Sequence, residues 1–71
     1  MQQIQRELGE RIRRLRARKG WSQEGFAEVS GLHRTYIGAV ERGEKNLTIS
    51  TLHVLAKTLN TTIARLFSGL G

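Results

Sequence analysis

The stretch that most constrains the fold covers residues 22–43, SQEGFAEVSGLHRTYIGAVERG. It contains two short segments with helical spacing of apolar residues, and Ser30-Gly31-Leu32 separates them. The hydroxyl of Ser22 can cap the first helix, because it can accept a hydrogen bond from a free backbone N–H of the opening turn. Gly31 can adopt the positive φ that follows a helix end. The sequence therefore predicts two helices joined by a tight turn.

The second of these helices, which Leu32 or His33 opens, divides into two faces. Tyr36, Ile37 and Val40 recur at helical spacing and form the side that packs. The residues largely on the other side are polar or small: Arg34, Thr35, Gly38, Ala39 and Arg42. A helix that enters the DNA major groove needs such a face.

This stretch resembles the helix-turn-helix of the phage-repressor (Cro/cI, or Xre) family. The motifs that carry the resemblance are Leu15-Arg16, Gly20, Ser22-Gln23-Glu24, Ala27, Gly31-Leu32, Ile37, Glu41-Arg42-Gly43, Thr51-Leu52, Leu55-Ala56 and Leu66-Phe67. Each motif is weak by itself, whereas their order and spacing together are specific. A narrower resemblance, to the controller proteins of restriction–modification systems, rests on Arg34-Thr35-Tyr36-Ile37, Glu41-Arg42 and Asn46-Leu47-Thr48-Ile49. The family resemblance implies an all-α, compact five-helix bundle that binds DNA.

Length and composition are typical of one small domain. The 71 residues predict a single domain over residues 1–71, with the helix-turn-helix at about 22–43 and helices four and five at about 49–68. The net charge of +6 favours a polyanionic partner, although a basic solvated surface would give the same number. The chain has no cysteine, no apolar run near 20 residues and no visible signal peptide. We therefore expect a cytoplasmic protein with no membrane partner.

Residues 1–19 predict a first helix with one apolar stripe. The residues of the stripe are Ile4, Leu8, Ile12 and Leu15. Gly9 interrupts this helix, and a close approach of another helix would explain it. The family resemblance implies that Arg16 pairs with Glu41 between the first and third helices. This pair would hold the third helix, the recognition helix that enters the major groove. Two unrelated surface charges are the alternative for this pair.

Three residues of the recognition helix are candidates for reading base edges. Arg34 can donate two hydrogen bonds to O6 and N7 of guanine, a contact worth about 1–3 kcal/mol of discrimination. A phosphate contact is the alternative for Arg34. Thr35 can offer its methyl group to thymine or its hydroxyl to a base or phosphate. Ala39 lies one turn further on the same face, where a small side chain permits close approach.

Five residues are candidates for contacts with backbone phosphates: Gln23, Tyr36, Arg42, Lys45 and Asn46. The family resemblance implies this role for Gln23, at the N-terminal end of the second helix, and for Lys45, in the loop after the third. Asn46 belongs to the motif shared with controller proteins. For Tyr36, ring packing comes first and a hydroxyl contact with phosphate second.

The last third of the chain holds more apolar side chains than one small core needs. Thr48 is predicted to cap a fourth helix with an apolar face of Ile49, Leu52, Leu55, Ala56 and Leu59. A two-fold dimer would bury the surplus, and packing within the monomer is the alternative. The family resemblance favours a homodimer with an interface formed by Val54, Ile63 and Phe67.

Together these features predict a transcription regulator that binds double-stranded DNA at an inverted repeat. An antitoxin-type interaction module that also binds DNA is the alternative function. We expect no enzyme, because the chain has no Asp, no Cys and no Gly-rich phosphate loop. His33 and His53 lie far apart in sequence, so we expect no catalytic residue, metal or cofactor, and no small-molecule ligand.

Overall fold

The helices of the chain follow one another through short connections. A computed structural model describes residues 2–70, with side chains from residue 3, and Met1 and Gly71 of the predicted domain lie outside the described residues. The helices are α1 (Gln2–Arg18), α2 (Gln23–Ser30), α3 (Arg34–Glu41), α4 (Ile49–Thr58) and α5 (Ile63–Phe67). The predicted all-α, five-helix fold is confirmed, and residues 2–70 contain no strand. Within this range no helix is both long and apolar enough for a membrane span.

Side-chain caps define where the later helices begin. The Oγ atom of Ser22 accepts a hydrogen bond from the N–H of Gly25 at 3.0 Å, as predicted for the start of α2. His33 caps α3 with its Nδ1 atom, which accepts from the N–H of Thr35 at 3.2 Å. Thr48 caps α4 in the same way. These bonds satisfy backbone donors that have no partner within the helix.

The turn between α2 and α3 depends on Gly31. This residue has φ +77° and its N–H donates to the carbonyl of Ala27 at 2.9 Å. The left-handed conformation is cheap for glycine and lets the chain reverse at once. Leu32 then packs against the core. The predicted turn is therefore confirmed, and it sets α3 across α2.

The core draws on every helix. The largest fully buried side chains are Ile12, Phe26, Ile37, Leu55 and Leu66, one from each of α1 to α5. Trp21 is half-buried and stacks on Phe26, with ring centroids 5.8 Å apart, which is a favourable separation for aromatic rings. In a domain this small, each helix thus depends on all the others for its burial.

One apolar residue of α4 is not where the pattern placed it. The prediction that Ile49 joins the apolar face of the core is wrong, because its side chain is 72% exposed. Ile49 is the first residue of α4, and the buried positions of this helix begin at Leu52. Its side chain therefore lies beyond the edge of the core.

The polar side chain of Arg11 joins α1 to the end of α5. Its Nη1 atom donates to the carbonyl of Arg65 at 3.1 Å and also to the carbonyl of Ser68. Carbonyls at a helix C-terminus lack partners within the helix and carry negative partial charge. The charge of Arg11 is therefore used inside the fold.

Gly9 lies where α1 crosses the end of α3. A Cβ atom at this position would lie 2.7 Å from the carbonyl oxygen of Glu41 and closer still to that of Val40. The close helix approach that would explain Gly9 is therefore present. The contact is made by backbone atoms, so no side-chain rotation can make room for a larger residue, and the whole of α3 would have to move.

Gly9→Ala is expected to destabilise the protein by about 1–3 kcal/mol, because the added methyl group overpacks a backbone contact. Urea unfolding followed by circular dichroism measures this loss. Gly25→Ala is the matched control, since its Cβ would meet no atom closer than 3.4 Å. That change should stabilise α2 by up to about 1 kcal/mol. Equal midpoints for the two variants would contradict the contact.

Candidate nucleic-acid interface

A buried ion pair holds α3 against α1. The Nε atom of Arg16 lies 2.7 Å from Oε2 of Glu41, and Nη2 lies 3.0 Å from Oε1. The Glu41 side chain is 2% exposed and that of Arg16 is 14% exposed. The third nitrogen of Arg16, Nη1, donates to the carbonyl of Trp21 at 2.8 Å. The structure thus contains the two-bond pair that the family resemblance implied, and it also ties the end of α1 to the start of α2.

Gln23 extends this pair to α2. Its Nε2 atom donates to Oε1 of Glu41 at 3.1 Å. The carboxylate of Glu41, on α3, therefore binds one residue of α1 and one of α2. The predicted phosphate contact of Gln23 must therefore use its second amide hydrogen or its backbone N–H. Nothing in the spacing of the sequence indicated the contact with Glu41.

The opening turn of α3 stands at the surface. Arg34 and Thr35 are both exposed. The Nη1 atom of Arg34 lies 3.5 Å from Oε2 of Glu24 on α2, and both side chains are mostly in solvent. Such exposed pairs contribute little and are screened by salt. The guanidinium of Arg34 is therefore free to leave Glu24 for a stronger anionic or base partner.

Ala39 is less accessible than expected. Its side chain is 7% exposed, and it lies in a concavity lined also by Thr35, Tyr36, Arg42 and Lys45. Longer side chains surround a single methyl group, so the methyl forms the floor of the concavity. Ala39 lies on the same side of α3 as Thr35, where the sequence placed it, but its longer neighbours cover most of it. Its base contact stays a prediction that requires a base edge to enter the concavity.

Arg42 lies back over α3 and is paired. Its Nε and Nη2 atoms bind the carboxylate of Glu44 at 3.0 and 3.2 Å. A Cβ atom at Gly38 would lie 3.1 Å from its Nη1 atom. Hydrogen bonds from Arg42 lower the pKa of Glu44, and the charges of Arg42 and Lys45 act in the same direction. Glu44 is therefore ionised at neutral pH and compensates the charge of Arg42 locally. The sequence pattern did not indicate this partner, although Glu44 follows Arg42 by only two residues.

The remaining phosphate candidates surround the end of α3. Tyr36 is half-buried and packs against the core, as expected for its ring. Lys45 is exposed in the loop after α3. Asn46 is exposed too, and its Oδ1 atom accepts a hydrogen bond from Nε2 of Gln5 on α1. The structure therefore gathers Tyr36, Arg42 and Lys45 around one concavity and places Asn46 beside α1.

The predicted interface residues lie on the last two helices. Val54 on α4 and Ile63 and Phe67 on α5 are all half-buried. Ile63 and Phe67 also pack against the buried cluster of this chain. Part of the apolar surplus is therefore used within the monomer, and these three side chains also remain partly exposed.

The chain is similar to known proteins in both sequence and fold. The helix-turn-helix family model matches residues 12–66. The control protein C.SmaI of Serratia marcescens is 55% identical over 64 residues, which cover 90% of this chain and 76% of that protein. The restriction–modification controller protein C.AhdI from Aeromonas hydrophila has a crystal structure with a TM-score of 0.83 at 44% identity. That match covers 87% of this chain and 94% of C.AhdI.

A second solved structure includes DNA. It is the tetramer of the restriction–modification controller protein C.Esp1396I in complex with its natural 35 base-pair operator. Its TM-score to this chain is 0.81 at 35% identity, and the match covers 92% of this chain and 86% of that chain.

Glu41→Ala is expected to cost about 3–5 kcal/mol, because it leaves the buried guanidinium of Arg16 without its carboxylate. Urea unfolding measures the loss, and a chain that no longer folds represents its upper end. Glu44→Ala removes the carboxylate of an exposed pair and should leave the midpoint unchanged. The double substitution Arg16→Met, Glu41→Leu should recover stability, since neither charge remains buried. If Glu41→Ala and Glu44→Ala unfold at the same urea concentration, the buried pair does not hold α3.

Proposed function

We propose a function from one premise, that the chain belongs to the helix-turn-helix family. It is a sequence-specific, double-stranded DNA-binding regulator of transcription, and not an enzyme. The observation that carries the proposal is the division of α3. Residues 37–41 of α3 are buried, whereas Arg34 and Thr35 in its opening turn are exposed. A helix held by its second half and free at its first can present that first turn to the major groove.

We assign sequence reading to the exposed turn. Arg34 donates to O6 and N7 of a guanine, a geometry that its planar guanidinium matches. Thr35 contacts the neighbouring base or a phosphate. Ala39, at the floor of the concavity, sets how deeply a base edge can approach. Glu24 holds Arg34 only weakly in the free protein, so it does not compete with a buried base contact.

We assign the register on DNA to the residues around the concavity. Lys45 and Arg42 contact phosphates as cations, and Tyr36 contacts one through its hydroxyl. Asn46, in the loop after α3, and Gln23, at the start of α2, are the other two residues to which we assign phosphate contacts. Phosphate contacts of this kind fix orientation without reading sequence.

We infer that the chain acts as a homodimer at an inverted repeat. C.Esp1396I is a tetramer on its operator, and the fold of this chain matches it closely. The interface we propose is formed by Val54, Ile63 and Phe67 on helices α4 and α5. A two-fold axis would set the two recognition helices about 34 Å apart, one turn of DNA.

We further propose that the regulated genes encode a restriction–modification system. The support is the likeness to C.SmaI and C.AhdI, which extends over most of each chain. The site of action is then the cytoplasm of a bacterium, where the DNA lies.

Selection of bound duplexes from a random pool tests this function directly. The wild-type protein should enrich an inverted repeat with half-sites about one helical turn apart. Arg34→Ala should relax preference at one base pair in each half-site and cost about 1–3 kcal/mol of discrimination there. Thr35→Ala is the comparison, since it should affect a neighbouring position. A uniform loss over all sequences would make Arg34 a phosphate contact, and no enrichment by the wild type would exclude the function.

Val54→Asp is expected to shift the protein from dimer to monomer, because it places a charge in a dehydrated interface. Sedimentation equilibrium over a concentration series measures the shift. Val29→Asp is the matched control, because Val29 is a valine on α2 that is already 54% exposed. A dimer that survives Val54→Asp as well as Val29→Asp would exclude Val54 from the interface.

A further inference from the structure

The first turns of α1 lie directly against the loop that follows α3. Gly43 has φ +75°, and a Cβ atom there would lie 2.8 Å from Cα and 2.9 Å from Cγ of Arg6. No side chain fits between the two segments. The backbone and Cγ atom of Arg6 therefore lie against Gly43, just after the end of α3, although the two residues are far apart in sequence.

A second contact fixes the same junction. Gln5, the residue before Arg6, donates its side-chain amide to Asn46 in the loop. A shallow concavity beside this contact is lined by Gln5, Arg6, Arg42, Gly43 and Glu44. Arg6 thus shares this concavity with Arg42, and its neighbour Gln5 bonds Asn46. The proposed function assigns both Arg42 and Asn46 to phosphates.

The charges at this junction leave Arg6 uncompensated. Arg42 and Glu44 form a pair and largely cancel each other. Among residues 3–70, the ion pairs of α1 are Arg13 with Glu10 and Arg16 with Glu41. In that range no carboxylate lies within salt-bridge distance of Arg6, which is exposed to solvent. The concavity therefore carries a free positive charge at Arg6.

We propose that Arg6 binds a DNA backbone phosphate and so extends the DNA interface from the loop after α3 onto α1. This inference rests on the proposed function. A guanidinium suits this role because its planar N–H groups can donate two hydrogen bonds to one phosphate. Arg6 contributes affinity and register, and it reads no base.

Other exposed arginines of α1 do not share this position. Arg14 lies eight residues further along the helix, about 12 Å at 1.5 Å per residue. Arg14 lines a cleft together with Arg6, Glu7 and Glu10. Of the two arginines, only Arg6 also lines the concavity that contains Arg42 and Gly43. Arg14 is therefore a matched control, with the same charge on the same helix but outside the concavity that contains Arg42.

The test measures how binding depends on salt. A fluorescein-labelled random-sequence duplex of about 30 base pairs is titrated with protein between about 50 and 200 mM NaCl, where each neutralised phosphate adds about 0.9 to the slope of log K against log salt. Arg6→Gln should lower the slope by about 0.9 per bound protomer. The loss of affinity across this salt range should then be about 3- to 4-fold smaller per protomer than for the wild type.

Two further variants separate charge from packing. Arg6→Lys keeps the charge and should retain the wild-type slope, whereas Arg14→Gln should leave the slope unchanged. Glutamine preserves the Cγ atom that meets Gly43, and the urea midpoint of Arg6→Gln checks that the fold is intact. Equal slopes for Arg6→Gln and Arg14→Gln would overturn the inference, as would weaker binding of Arg6→Gln at an unchanged slope. Wild-type protein that binds no duplex at any salt would instead overturn the proposed function itself.

Discussion

The carboxylate of Glu41 is the contact on which the arrangement of the helices depends. It lies on α3, accepts two hydrogen bonds from Arg16 of α1, and accepts a third from Gln23 of α2. A carboxylate that is 2% exposed is costly unless its oxygens are satisfied. Other helix orientations would leave it unsatisfied. We therefore interpret this contact as a source of specificity for one arrangement of α1, α2 and α3, more than of net stability.

Two glycines allow α1 to pack close to the end of α3, where Glu41 lies. Gly9 lets α1 touch the carbonyls at the end of α3, and Gly43 lets the following loop touch the backbone of Arg6. The second half of α3 is thus buried. Its last carbonyls lie against α1, and side chains such as Ile37 are part of the core. Only the opening turn, with Arg34, is left for solvent. The exposure that the proposed function needs follows from burial elsewhere on the same short helix.

Local signals made most of the fold predictable. Caps such as Ser22 and the turn at Gly31 depend on near neighbours, and the apolar spacing locates buried residues well inside each helix. Spacing does not determine which side chains the folded surface leaves accessible. Ile49 is therefore more exposed, and Ala39 less exposed, than the spacing alone suggested. The sequence also contained no sign of the contact between Gln23 and Glu41, because only the tertiary fold brings these two residues together. The pair of Arg16 and Glu41 was expected from the family resemblance and not from the residues alone.

The cations near the proposed DNA surface differ in how they are held before DNA arrives. Arg34 and Arg42 each face an exposed carboxylate, Glu24 and Glu44. Weak, solvated pairs of this kind keep a long side chain near its working position and give it up readily to a phosphate or base. Arg16 and Arg11 are instead bound to buried or backbone partners and belong to the fold. The Lys and Arg residues behind the net charge of +6 thus fall into two groups, those bound within the fold and those available to DNA. Only the available ones can release counterions from DNA.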